Sequence, residues 1–177
     1  MLNDDTRAVV EKAIVAALGY ENNVRDVYKD AVSKATDEVA RKVFQVLADE
    51  EQGHVDYLEH CLATWKKGGV LDARGLTTSI PRPEVIREGV ERLKQKLGAE
   101  PAEGPEVEML QRALAVEVET SNFYKEMVSV LAPEHTPLFA RFLEIEEGHQ
   151  AIVQAEIDTV TGLGFWFDVQ EFDLEAG

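Results

Sequence analysis

The sequence predicts an all-α protein: a four-helix bundle made of two antiparallel hairpins, joined by a long crossover that carries a short helix. Four long segments place their apolar residues at alternating steps of three and four, the seam period of packed helices. The second pair of segments repeats the first at a nearly constant offset. The connection within each pair is short, which makes antiparallel neighbours, whereas the connection between pairs is long.

The first segment runs from about residue 4 to 32, with the stripe Ile14, Ala17, Glu21, Val24, Tyr28, Ala31. The second starts near Thr36, a residue suited to capping, with Glu38 close behind. It runs to about Lys66, ahead of Gly68-Gly69, with the stripe Ala40, Phe44, Leu47, Glu51, His54, Leu58, Cys61. Residues 67 to 82 hold Gly68, Gly69, Gly75, Pro81 and a Thr-Thr-Ser run, the composition of an irregular connection. Residues 83 to 97 are mostly charged over a thin stripe of Val85, Val90, Leu93 and Leu97, which predicts a short surface helix. Gly98 to Pro105 is a second loop. The third long segment, about 105 to 131, gives Leu110, Ala113, Glu117, Thr120, Tyr124, Met127, Leu131. The fourth begins near Thr136-Pro137 and ends before Gly162, giving Phe139, Phe142, Glu146, His149, Val153, Glu156, Val160. The bundle is thus expected over residues 1–161, with 67–104 as its crossover. Residues 162–177 form an acidic tail rich in aromatics, Phe165, Trp166, Phe167 and Phe172. Such a tail is expected to pack on the bundle or to make a homodimer contact, since aromatics are enriched in interface cores.

The repeat is specific. An offset of 96 relates Glu21 to Glu117 and Tyr28 to Tyr124, and an offset of 95 relates Phe44 to Phe139, Glu51 to Glu146 and His54 to His149. A solenoid needs three or more units, so two copies imply pseudo-twofold symmetry.

Composition narrows the partners. A net charge of −16 argues against nucleic-acid binding, which rests on Lys and Arg neutralising phosphates, and against an anionic membrane surface. No apolar run reaches the length of a membrane span. Met1-Leu2-Asn3-Asp4-Asp5 lacks the basic and apolar regions of a signal peptide, so the expected location is cytoplasmic. The single cysteine, Cys61, leaves no thiolate cluster within the chain and reads as a small core residue. His60 and His135 have no match in the other half and are expected at the surface.

The chemistry lies in the polar residues on the apolar stripes. Glu51-Gln52-Gly53-His54 recurs as Glu146-Glu147-Gly148-His149, and a glutamate and histidine three apart share one helix face. Each copy follows a lone glutamate on the preceding stripe, Glu21 or Glu117. Burying one unpaired carboxylate costs several kcal/mol, and four at one level repel each other. Two divalent ions neutralise four carboxylates and remove that penalty. Oxygen donors with two imidazoles suit iron or manganese, with zinc as a competing occupant. One histidine falls to each metal, with Glu21 and Glu117 capping and Glu51 and Glu146 bridging ions roughly 3.5 to 4 Å apart. Tyr28 and Tyr124, two turns beyond the capping glutamates, are candidates to hydrogen-bond the ligands or to act as redox-active neighbours.

Glu21, Glu51-x-x-His54, Glu117 and Glu146-x-x-His149 resemble the ligand set of the ferritin-like di-iron carboxylate proteins. Glu21 with Tyr28, and Glu117 with Phe123-Tyr124, resemble the rubrerythrin branch of that superfamily. The resemblance spans residues 4 to 161. It implies a ferritin-like bundle, a bridged pair of iron ions, and reduction of hydrogen peroxide or O₂. Rubrerythrins carry a rubredoxin domain with four cysteines; this chain has only Cys61, so the resemblance implies electrons from a separate donor such as a rubredoxin. Rubrerythrins also tend to place a glutamate three residues after the third-helix ligand. Thr120 stands there in this chain, and Glu119 points about 200° away on the helix. The alternatives are a ferroxidase that handles iron and a helical binding module stabilised by metal.

Overall fold

Helix α1 (Asp4–Lys34) turns through three residues into α2 (Glu38–Lys66), and α4 (Pro105–Val130) turns into α5 (Thr136–Leu163); the short α3 (Pro83–Lys96) lies between the two pairs in the chain. The structure, a computed structural model, describes residues 4–68, 70–96 and 104–163, and the described residues include no strand. The aromatic tail falls outside them from residue 164 onward, and so do the homodimer and packing expectations placed on it.

The start of α2 differs from expectation. Asp37 is the cap, and its carboxylate accepts from the amides of Val39 and Ala40 at 2.8 and 2.9 Å. Thr36 instead donates its amide and hydroxyl to Glu106 at 2.9 and 2.7 Å, tying the first turn to the start of α4. An aspartate accepts such bonds with a full charge beside the positive end of the helix, which favours it over the threonine hydroxyl. At the other end of α2, Gly68 adopts φ +85, a left-handed conformation open to glycine at little cost, and its amide bonds to Trp65 O at 2.9 Å. Helix α5 runs through Leu163, past the expected stop before Gly162.

Contacts between helices fix the arrangement. Trp65 Nε1 donates to Arg7 O at 3.1 Å, so α2 ends where α1 begins. Arg112 pairs with Asp30 at 3.2 Å while Phe123 stacks on Tyr20, so α4 runs antiparallel to α1. Trp65 meets His135 and His54 meets His149, so α5 runs antiparallel to α2. Trp65 and the Thr36–Glu106 contact lie at opposite ends, so residues 67–104 carry the chain the length of the bundle. Along the way α3 packs on α5. Its buried face is Ile86 and Val90, one turn apart, with Val85 only half-buried. The expected stripe began at Val85, but five residues from Val85 to Val90 is not a helical repeat of one face. Leu93 and Leu97 lie outside the described side chains.

His135, expected at the surface, also departs from expectation. It lies in the turn between α4 and α5 and is buried edge-on against Trp65, at 5.5 Å between ring centroids. Cys61 is buried and His60 exposed.

The core is two apolar clusters, not one. Val24, Tyr28, Phe44, Leu47, Leu110 and Val153 belong to the first; Ile14, Leu58, Trp65, Tyr124, Phe139 and Phe142 belong to the second. In every long helix the break between them falls at the inward glutamates and histidines. Each fully buried large apolar side chain contributes about 1.5–3 kcal/mol, so the two clusters can hold a costly polar layer between them.

Candidate metal centre

The polar layer contains all six sequence-predicted ligands. Glu21, Glu51, Glu117, Glu146 and His149 are fully buried, and His54 is 1% exposed. The seam spacing dictates this: Glu21 lies between Ala17 and Val24, Glu117 between Ala113 and Tyr124 by way of Thr120, the Glu51–His54 pair between Leu47 and Leu58, and the Glu146–His149 pair between Phe142 and Val153.

Glu51, His54, Glu146 and His149 each offer a ligand atom within 4.8 Å of the others, a buried group that could hold a metal ion. His54 Nδ1 lies 3.1 Å from Glu21 Oε2, 3.2 Å from Glu51 Oε2 and 3.7 Å from Glu146 Oε1. His149 Nδ1 lies 2.7 Å from Glu51 Oε1, 3.8 Å from Glu117 Oε1 and 3.9 Å from Glu146 Oε1. Glu51 therefore turns one oxygen to each imidazole, Glu146 lies between them, and Glu21 and Glu117 flank one histidine each. The two rings stack at 5.2 Å, within 9° of parallel.

Tyr28 and Tyr124 are placed with the same symmetry. Tyr28, on α1, donates to Glu117 Oε1 on α4, and Tyr124, on α4, donates to Glu21 Oε1 on α1. Each tyrosine thus serves the glutamate of the other half. This exchange was not legible from spacing along one helix; it follows from the antiparallel contact of α1 with α4. Phe142 holds Tyr124 by stacking at 4.9 Å and meets His54 edge-on at 5.4 Å. Thr120 is buried and spends its hydroxyl on Val116 O at 2.9 Å, while Glu119 faces outward. A further buried carboxylate, Glu156, lies on the same stripe of α5 two turns beyond His149.

Several inward atoms have no hydrogen-bond partner among the described residues: Glu51 Oε1, Glu117 Oε2, both oxygens of Glu146, and His149 Nδ1. The 2.7 Å approach of His149 Nδ1 to Glu51 Oε1 lacks hydrogen-bond alignment. Lone pairs that converge without facing each other suit a cation between them better than a proton. The Nε2 atoms of both histidines also lack a partner among the described residues.

Without a metal the layer shares protons. Burial pushes the Glu21 carboxyl up to about 7, with the charge of Glu51 adding and the hydrogen bond from His54 opposing. Burial raises Glu117, and raises Glu146 well above the carboxylate range, each helped by neighbouring carboxylates. Burial also works to raise Glu51, but the two imidazoles outweigh it and hold this carboxyl well below its ordinary value. Burial lowers His54 and His149, but Glu51 overrides it and both are raised. Burial and the partner glutamates push both tyrosines upward, so their hydroxyls stay protonated donors.

Among the described residues no helix is long and apolar enough to cross a membrane. In comparisons with protein-family models, curated proteins and solved structures, nothing matches this chain.

Proposed function

We propose that this protein is a di-iron oxidoreductase of the ferritin-like, rubrerythrin-related kind, which reduces hydrogen peroxide or O₂ with electrons from an external donor such as a rubredoxin. The observation that carries the reading is the buried layer of four carboxylates and two imidazoles, in which Glu51, Glu117, Glu146 and His149 keep inward atoms without a hydrogen-bond partner among the described residues. Four carboxylate charges match two divalent ions, and oxygen-rich donors with one imidazole per ion suit iron, with manganese or zinc as substitutes.

In this reading Glu21, Glu51, Glu117, Glu146, His54 and His149 would hold the two ions, with Glu51 and Glu146 shared between the two imidazoles. When bound, two ferrous ions would supply two electrons together to a peroxide or to O₂. The chain's own residues do the rest. Tyr28 and Tyr124 fix the capping carboxylates by hydrogen bonds from the opposite helix. The apolar clusters above and below exclude bulk water, which strengthens each charge interaction in the layer. Protons that Glu21, Glu117 and Glu146 would hold in a metal-free layer give way to the ions.

The test is anaerobic iron loading followed by rapid mixing with hydrogen peroxide or with O₂, watched by absorption spectroscopy. Faster oxidation by peroxide, and repeated turnover once a reductant is added, is the expected result. Faster oxidation by O₂ with accumulation of ferric mineral would replace this reading with the ferroxidase alternative.

A further inference from the structure

The two halves repeat around the ligands but not around the approaches to them. Gly53 and Gly148 occupy equivalent places, each one residue before a ligand histidine and in the interior of a long helix. Glycine there costs roughly 0.5–1 kcal/mol against alanine, so each calls for a reason. For Gly148 the reason is close approach: a Cβ would lie 3.4 Å from Pro81 O and 3.8 Å from Ile80 Cγ2, where the crossover is seated on α5. For Gly53 there is nothing within 4 Å. It borders instead a cavity of about 230 Å³, lined by Asp49, Glu50, His54, Tyr57, Leu76 and Thr77. Since water occupies about 30 Å³ in the liquid, several molecules fit.

The sequence carries the same asymmetry. The counterparts of Glu50 and Tyr57 at the offset of 95 are Ile145 and Ile152, both buried. Asp49 is matched by Glu144, so the difference lies at these two positions and in the cover: the first approach is open, and the second lies under Ile80 and Pro81. The open approach ends on His54, which is 1% exposed, turns Nδ1 to the carboxylates and has no hydrogen-bond partner at Nε2 among the described residues. Its far wall is fixed, because Ser79 bonds to Glu50 through its amide at 2.9 Å and its hydroxyl at 2.5 Å, and Tyr57 donates to Asp72 O.

We infer that the cavity beside Gly53 is the inlet through which divalent cations reach the buried ligands, and that Ile80 and Pro81 of the crossover close the equivalent inlet beside Gly148. Asp49 and Glu50 draw cations to the mouth, Gly53 leaves the passage clear, and His54 receives the ion at its end. The inference rests on the metal-holding reading of the layer.

The experiment follows uptake of Co(II) by the metal-free full chain in a stopped-flow instrument, through the visible absorption of the bound ion. Gly53→Phe places a ring in the passage from a position with free space around it, and Thr77→Trp does the same from the opposite wall. Each should slow uptake roughly tenfold or more, since loading must then wait for the passage to open, with the final stoichiometry unchanged. Asp49→Asn should slow uptake about threefold at low salt, with the difference gone near 1 M salt, where screening acts within about 3 Å. Wild-type uptake rates in both blocking variants, at unchanged stoichiometry, would overturn the inlet. If Gly53→Phe fails to fold, Thr77→Trp alone decides. Failure of the wild-type chain to take up Co(II) at all would overturn the metal reading beneath it.

Discussion

Removing metal should reverse how the stability of this protein depends on pH. In the metal-free chain Glu21 titrates at about 7 when folded against 4.5 when unfolded. Between those values the folded chain keeps a proton that the unfolded chain has released. The associated stability is complete below about 4.5 and is lost as pH rises through about 7. At about 1.4 kcal/mol per pH unit, the shift from 4.5 to about 7 is worth about 3 kcal/mol. Glu117, Glu146, His54 and His149 are also raised and act in the same direction. Glu51 is depressed, so its contribution is present above its unfolded value of 4.5 and is lost only in acid below it. Metal-free protein should therefore lose about 3 kcal/mol or more between about pH 5 and about pH 8, a fall in Tm on the order of 10 °C for a domain this long. Bound cations displace those protons, so their affinity rises with pH, and each contributes about 2.7 kcal/mol at a concentration of 100 Kd. Melting followed by far-UV circular dichroism, with chelator and with saturating Mn(II), supplies both curves. They should diverge as pH rises. A metal-free chain that grows more stable from pH 5 to 8, or two curves that stay parallel, would contradict proton retention by the buried layer.

Three other outcomes follow from single side chains. Glu51→Gln should weaken metal binding more than Glu21→Gln or Glu117→Gln, because only Glu51 turns an oxygen to each imidazole at 3.2 Å or less; equilibrium dialysis measures this. Tyr28→Phe and Tyr124→Phe should each cost about 1–3 kcal/mol in the metal-free chain, by nearly equal amounts, since each strips a buried hydrogen bond from one glutamate; urea titration compares them. Asp37→Ala should destabilise by about 1 kcal/mol, and Thr36→Val by a separate amount that double substitution with Glu106→Gln removes, because cap and tie are distinct.

Much of the site was legible because seam spacing is strict. A glutamate at the position of Glu21 or Glu117, flanked by core residues in steps of three and four, has nowhere to go but inward. The matched offsets then tell that both halves bring their groups to one level. Helix boundaries followed from Gly68, Pro105 and Pro137, but the choice between Thr36 and Asp37 did not, since adjacent residues compete for one cap and a tertiary contact to Glu106 decides. His135 was misplaced for a related reason: its burial depends on Trp65, seventy residues earlier, and no periodicity links them. The crossing of Tyr28 and Tyr124 needed the antiparallel contact of α1 with α4, which spacing on either helix leaves open. The inequality of the two approaches was written at Glu50 and Ile145, yet it gains meaning only when Ile80 and Pro81 are seen seated beside Gly148.

Six side chains from both halves are proposed to hold a pair of cations. Anaerobic titration of metal-free protein with Fe(II), read by metal analysis after desalting, tests it most directly. Saturation is expected at two ions per chain, falling to one or none in Glu51→Ala. No retained iron, or two ions held equally well by wild type and Glu51→Ala, would contradict it.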